Sequence, residues 1–528
     1  MSDNTVSHKV MNEFLSTNKQ FWEDFFPSTT ALSDEAIMVE LLISHIGYLM
    51  GNCIIAKYLQ KRLKTRIIGI LPPKTSPNYG FTLNIAQSYG ITEFIDQDLD
   101  IGFNFDMNAE NFDHSDIRAL REEFINMEFD GVPLGDLAYD NYLRTTGKGT
   151  IEKVDHEVVN HLASIIRDYV FYDMIIKQQK VVATVQGHTV YNYGAMARAA
   201  LKNGAVVYGK KPAGNPLTVR RYTTLAEKRQ YEFRLTQDEF SQLISTKKEF
   251  AVQKGRQLMD ERIKGGTNSE FSGAYGEGKK LYSREELIKK LNLTTDKPIV
   301  CIMSHLFPDS PHAFNSILYN DYYEWLEETL LAIKDIPEIN WLVKEHPHLE
   351  HYNPRHSTTE LATPFAKKYP HINLTPGDLD TNSLLPVVHA IVTCAGTAGL
   401  EFSTQGIPCI LAGESHYSGF GFTIEAKSKE GYVEQLKNVG KLEKLSQDKI
   451  DLALAYTYAF FKLVRVHCAL LPKISDRFFD KTDISQTIKE ATDILKNINP
   501  EDDPTYINFN RQLDTKAAHM INFDVLSK

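Results

Sequence analysis

From Ile299 onward the sequence repeats one pattern: a short apolar run followed by an amphipathic stretch of helical length. That alternation is the mark of βα units that build a parallel sheet. The first run is 299–303, followed by the loop SHLFPDSPHAF and a stretch over 319–334 in which Tyr322, Trp325, Leu326, Thr329, Leu330 and Ile333 recur at helical spacing. Further strands are expected at 340–343, 372–374 and 390–394, with a helix capped by Thr381 or Ser383 between the last two. The stretch AGTAGLEFSTQG then reads as a small-residue turn, a two-turn helix and a stop at Gly406, before a fifth strand at 408–411.

The first half is α/β as well, though less regular. Strands are expected at 37–44, 66–71, 180–185 and 205–208, with helices through His45-Ile46-Gly47 to about Lys64 and over 195–202. At 528 residues the chain exceeds one ordinary core, so two domains are expected. The reading places an N-terminal α/β domain at 1–290, with a charged, helical insertion near 218–290. A nucleotide-binding-type domain follows at 291–476. A tail at 477–528, helical to about Asn497 and irregular beyond, is expected to cross back onto the first domain.

Composition excludes several classes. The five cysteines are scattered and form no C-x-x-C pair, so they read as buried small hydrophobes rather than zinc or redox groups. A net charge of −10 argues against general nucleic-acid binding, which rewards a concentrated basic face. The Lys/Arg-rich stretch 210–234 is the local exception, read as a solvated face with an anionic-ligand or membrane-surface patch as the alternative. Neither a signal-peptide pattern nor a membrane-length apolar run is present, so the expected place is the cytoplasm, with peripheral association at the inner face of the membrane left open. Asp96, Asp98 and Asp100 imitate a metal-binding acidic motif but read as a solvated loop, so no metal or other cofactor is expected.

In open parallel sheets ligands bind beyond the carboxyl ends of strands, which singles out four loops in the second half. They carry Ser304, His305 and Asp309; Lys344, His346 and Pro347; Gly396, Thr397 and Glu401; and Tyr417 and Gly419. Backbone N–H groups around Gly396 and Thr397 suit an anion, and Glu401 one turn later suits a ribose or sugar hydroxyl. His346 can donate to a phosphate oxygen from a turn fixed by Pro347. The loop around Tyr417 and Gly419 suits a donor base or sugar, or equally a tight surface turn. In the first half Asp136, Asp140 and His188 are candidates for a base that deprotonates an attacking hydroxyl, each aspartate having a helix cap as its alternative.

The segments SHLFPD, DYYEWLEETL, NWLVKEHPH and VTCAGTAGLEFSTQGIPCILAGESHYSGFGFT, in that order, resemble the capsule and surface polysaccharide biosynthesis glycosyltransferases, a group that includes bacterial Kdo transferases. The specific likeness spans 299–423; a weaker one touches GDLAYDNYLR and HTVYNYGAMARAAL. The resemblance implies a GT-B-like α/β fold, two Rossmann-like doubly wound domains facing a central cleft, with a nucleotide sugar in the second domain and the acceptor chiefly in the first. It places His346 and Pro347 at the donor phosphate and matches Gly396, Thr397 and Glu401 to the family's small-residue and glutamate element.

The expected function is transfer of a sugar from a nucleotide-activated donor, with CMP-linked acidic sugars frequent among relatives, to an oligosaccharide or lipid-linked glycan acceptor of a bacterial surface polysaccharide. Alternatives are polyol-phosphate transfer from a CDP-activated donor, sugar-nucleotide epimerisation, and a non-catalytic role in capsule assembly. Replacing either His346 or Glu401 by alanine is expected to abolish activity without disturbing the fold.

Overall fold

The computed structural model describes residues 7–103, 105, 107–112, 115–229, 234–264, 278–312, 316–347, 349, 354–474 and 483–522. Most of the glycine-rich loop at 264–280 and part of the basic stretch 210–234 lie outside them. The chain forms two compact units: residues 1–106, 164–228 and 461–528, and residues 107–163 and 229–460.

The first unit is built on β1 (Ala36–Glu40), β2 (Arg66–Leu71), β3 (Glu93–Asp96), β4 (Val181–Gln186), β5 (Val206–Lys211) and β6 (Thr218–Tyr222), in the order β3-β2-β1-β4-β5-β6. All neighbours run parallel except β6, which is antiparallel to β5. Every residue of β1 is buried, as a central strand covered on both faces requires. The helix Ile46–Leu63 starts at His45, whose Nδ1 accepts the Gly47 amide at 3.2 Å, and stops where Lys64 turns left-handed at φ 54°.

The tail belongs to this unit. Ile488 and Phe509 join Trp22 and Tyr58 in one core, and the Tyr58 hydroxyl donates to Asp503 Oδ2 at 2.6 Å. The stretch beyond Asn497, read as irregular, contains the helix Pro504–Thr515. Asp503 caps it and Pro504 opens it, a start signal that the apolar periodicity alone does not carry.

The second unit repeats the topology with β7 (Ile299–Met303), β8 (Asn340–Lys344), β9 (Ile372–Leu374), β10 (Ala390–Thr393), β11 (Cys409–Leu411) and β12 (Ile424–Glu425). Their order is β9-β8-β7-β10-β11-β12, all parallel. Each sheet thus reverses its strand order between its first and fourth strands, the switch point at which doubly wound sheets take their ligands. Two details differ from the sequence reading: residues 381–384 form only a 3₁₀ turn capped by Asp380, and β12 lies in a stretch too short for a periodic signal.

The compact units cut the chain differently from the linear division at residue 290. The helix Gln237–Ile263, opened by a Thr236–Glu239 capping box, packs on the helix Gln447–Tyr458 of the second unit. The approach is so close that a Cβ on Gly255 would sit 1.9 Å from the Leu454 carbonyl oxygen. Residues 107–163 join the same unit through buried polar contacts. His312 Nδ1 lies 2.6 Å from Asp140, its Nε2 lies 2.6 Å from the Asn320 carbonyl, and the His312 amide also donates to the Asp140 carboxylate. Tyr139 donates to Asp321 at 2.6 Å, and Arg121 pairs with Glu324 at 3.3 Å.

A carbonyl can only accept, so Nε2 carries a proton. Burial alone would lower the His312 pKa, but the Asp140 charge and hydrogen bond, together with the Asp136 charge and the Asn320 carbonyl, outweigh burial and push it up. The stability this pair contributes is present at low and neutral pH and is lost as pH rises through the raised His312 value. His312→Ala leaves the Asp140 carboxylate buried without its partner. It is expected to cost about 3–5 kcal/mol by chemical denaturation, and adding Asp140→Asn should recover much of that loss.

Candidate functional site

Beyond the carboxyl ends of β7, β8 and β10, at the switch point of the second sheet, the loops enclose a cavity of ≈ 150 Å³. Whole-ligand pockets are typically about 300–1,000 Å³, so this one suits a phosphate and its immediate substituents. Ser304, His305, Lys344, His346, Pro347, Gly396, Thr397 and Glu401 all line it. The convergence expected from four separate loops is therefore real for three of them.

Lys344 dominates the electrostatics. It ends β8 with its side chain 8% exposed, and among the described residues no carboxylate lies within 4.0 Å of its ammonium. Burial lowers its pKa. Glu345, beside it, spends its oxygens on backbone N–H groups, Oε1 on His346 at 3.1 Å and Oε2 on Thr359 at 2.9 Å. Ser304 Oγ lies 2.6 Å from Thr358 Oγ1, which ties β7 to the start of the helix Thr358–Lys368.

His305 shapes the site and carries no charge there. Its Nε2 accepts the Ala395 amide at 3.0 Å, and its ring stacks on Tyr322 with centroids 4.1 Å apart. Desolvation pushes its pKa down to about 3, so the ring is neutral at ordinary pH and serves to fix the loop after β10. In that loop the Gly396 amide donates to Thr393 Oγ1 at 3.3 Å and the Gly396 carbonyl accepts from the Tyr417 hydroxyl.

Several expected residues stand elsewhere. Tyr417 is fully buried and braces the Gly396 loop from behind, so it cannot receive a base or sugar. Gly419 is bound on both sides, its amide donating to Glu425 at 2.7 Å and its carbonyl accepting from Gln237 at 3.2 Å. Asp309 sits on an exposed turn outside the cavity. Asp136 and Asp140 belong to the second unit, not the first domain. Asp136 is buried at the start of the helix Gly135–Thr146, where its Oδ1 accepts the Leu137 amide, and Asp140 is committed to His312. A carboxyl closed off from solvent and already hydrogen-bonded to a histidine is not a free base. His188 follows β4 at the first unit's own switch point, half-buried, with its ring 5.2 Å from Tyr48 and 5.8 Å from Tyr193.

Thr381 and Arg262 are among the lining residues that the sequence reading did not single out as site residues. Thr381, considered only as a helix cap, is 1% exposed, and its hydroxyl has no hydrogen-bond partner among the described residues. Arg262 closes the helix Gln237–Ile263 and pairs with Glu401, its Nε 2.9 Å from Oε1 and its Nη2 bound to the same oxygen. Glu401 is thus not an idle acceptor for a sugar hydroxyl.

For metal ligation, no group of three His, Cys, Asp or Glu side chains converges among the described residues. Asp96 is held by Tyr79 and Lys74, and Asp98 and Asp100 accept nearby backbone amides. All five cysteines are buried thiols, and no described helix is long and apolar enough to cross a membrane.

The loop geometry also fixes a glycine. A Cβ on Gly399 would lie 2.0 Å from the Tyr417 hydroxyl oxygen. Gly399→Ala is expected to destabilise by about 1–3 kcal/mol, read as a lower unfolding midpoint. Tyr417→Phe in that background should return part of the loss by removing the nearest atom.

Comparisons with known proteins bear on the same stretch of chain. No curated protein matches the sequence. Among solved structures, the Thermosulfurimonas dismutans KpsC β-Kdo 2,4 transferase is similar at 14% identity, covering 58% of this chain and 87% of its own, with a TM-score of 0.30. The β-Kdo 2,7 transferase of the same protein is 13% identical over 63% of this chain and 94% of its own, with a TM-score of 0.32. A UDP-GlcNAc 2-epimerase from Neisseria meningitidis is 10% identical over 80% and 97%, with a TM-score of 0.22. Similarity at this level leaves the fold assignment to the two sheet topologies themselves, the pair of Rossmann-like units that makes up the GT-B fold. Residues 274–461, which supply every lining residue of the cavity except Arg262, match the family described as "Capsule polysaccharide biosynthesis protein".

Proposed function

We propose that the chain is a glycosyltransferase of surface polysaccharide synthesis, which seats the phosphate of a nucleotide-activated sugar in the cavity of the second unit. The observation that carries the reading is Lys344: a buried ammonium with no carboxylate within 4.0 Å among the described residues, in a cavity at a switch point, is a cost to the free protein that a bound anion relieves. Thr381 adds a buried hydroxyl able to donate, and His346 stands on the adjoining wall. The family match over 274–461 supports capsule-type polysaccharide as the product.

In this reading an acceptor hydroxyl attacks the anomeric carbon, the bond from that carbon to the phosphate oxygen breaks, and the charge developing on the departing nucleotide is met by Lys344. Such preorganised electrostatic stabilisation is worth several kcal/mol where one donor is removed, about 2.7–4 in measured cases. The hydroxyl proton passes to a base.

Thermal-shift measurements with CMP, CDP, UDP, GDP and dTDP test the reading, because a ligand that binds only the native state raises its stability. A selective shift that disappears in Lys344→Met and shrinks in His346→Ala is expected; equal shifts in wild type and Lys344→Met would overturn the placement of the phosphate. The pH dependence gives a second check. Bound phosphate raises the lowered Lys344 pKa, so affinity should fall as pH rises through the Lys344 value of the free protein. Lys344→Met should flatten that slope.

A further inference from the structure

A second cavity, of ≈ 150 Å³, lies within the first unit. Arg66 and Ile67 open β2 and Glu93 opens β3, so the space sits at the amino ends of these strands, the opposite edge of the sheet from its switch point. The buried Trp22, Phe26 and Ile67 line it, with the exposed Leu32. Lys57, from the helix Ile46–Leu63, brings an ammonium into these apolar surroundings and is itself only 3% exposed. Of the three protons an ammonium can donate, one goes to Gln60 Oε1 at 2.7 Å, and Gln60 is held in that orientation because its Nε2 donates to the Thr65 carbonyl at 3.0 Å. The Phe26 ring centroid lies 5.5 Å from the ammonium, and no carboxylate comes within 4.0 Å among the described residues. Glu23, also in the lining, acts on Lys57 at longer range and spends Oε1 on the Ser28 amide and hydroxyl, each at 2.8 Å. Burial lowers the Lys57 pKa to about 8.

We infer that this cavity is a binding site for a small monocarboxylate with an apolar body, whose carboxylate meets Lys57 while the body lies against Trp22, Phe26 and Ile67. The other cation in the lining is already matched: Arg66 pairs with Glu93 at 2.5 Å and donates Nη2 to the Gln179 carbonyl and side-chain oxygen at 3.0 and 2.9 Å. Lys57 thus calls for one negative charge. A dianion such as inorganic phosphate would set its second charge near Glu23 with no cation to receive it. The aromatic and aliphatic walls reward the burial of hydrocarbon, and the volume lies below the roughly 300 Å³ at which pockets for larger ligands begin, so the occupant is of benzoate size or smaller. Gly90 also lines the cavity, and a Cβ there would lie 3.6 Å from Lys57 Nζ. Its φ of 75° favours glycine, so no side chain covers the charge from that direction. Neither the cavity nor Lys57 takes part in the nucleotide reading above, and the two stand or fall separately.

The test uses the full-length protein and measures Kd by calorimetry for benzoate, for benzamide, which keeps the ring without the charge, and for inorganic phosphate. Benzoate should bind wild type and the other two far more weakly. Binding should also change the emission of Trp22, the one tryptophan of the first unit, and Trp22→Phe should abolish that optical change. Lys57→Met keeps an unbranched side chain without the charge and should lower benzoate affinity about tenfold or more, with the unfolding midpoint without ligand showing that the variant is folded. Should Lys57→Met not fold, Leu32→Asp, at an exposed position of the same lining, sets a negative charge near the carboxylate and should weaken benzoate binding as well. Absence of benzoate binding to wild type, or benzoate affinity unchanged in the folded variant, would overturn the inference. Benzamide binding as tightly as benzoate would overturn the role of the charge, and phosphate binding as tightly would overturn the carboxylate class.

Discussion

A charge taken out of water must find a counter-charge or a full set of hydrogen bonds, and the second unit is organised by how its buried charges meet that demand. Asp140 is answered by His312, Asp321 by the Tyr139 hydroxyl and the Glu324 amide, and Glu324 by Arg121 and Asn320. Every one of these links except that between Asp321 and Glu324, and that between Glu324 and Asn320, joins residues 107–163 to the start of the helix Tyr322–Ile333 or the loop before it. The segment has no strand in either large sheet, and these polar contacts, with the apolar side chains around them, seat it in the unit that holds the cavity.

The same demand explains the cavity. Three of its four charged groups apart from the histidines are spoken for: Glu345 by two backbone amides, and Arg262 and Glu401 by each other. Lys344 is the exception. Conformational precision comes from side chains that brace the loops around it. The neutral His305 holds the loop after β10 through the Ala395 amide, and Tyr417 braces that loop from behind while occupying the space that a side chain at position 399 would need. The ligand-facing wall is therefore built by a second layer of aromatic and hydroxyl groups, which rigidify it.

Much of this was legible in the residues. The βα alternation located β7 to β11 to within a residue or two, and the rule that ligands gather beyond strand ends picked Ser304, Lys344, His346, Gly396, Thr397 and Glu401, all of which line one cavity. Periodicity works for these elements because each strand must be apolar on both faces and each helix on one. It says nothing about which of two loops a tyrosine faces, so Tyr417 read as a ligand contact when it is a buried brace. Asp136 and Asp140 read as open acids because a carboxylate's partner is invisible until the chain folds; the partner of Asp140, His312, is distant in sequence and lies in a loop with no periodic signature.

The sequence by itself determined the fold class, the strand-end loops that carry chemistry and the family resemblance of residues 299–423, because these follow from local patterning and short contiguous motifs. Only the tertiary structure decided that residues 107–163 and the helix Gln237–Ile263 join the second sheet's unit, that Arg262 and Thr381 complete the cavity, and that Glu401 is paired while Lys344 is not. The physical reason is common to all of these. Each depends on charge neutralisation or close backbone approach between residues far apart in the chain, and such contacts acquire an energy only once the folded interior has removed the water between them.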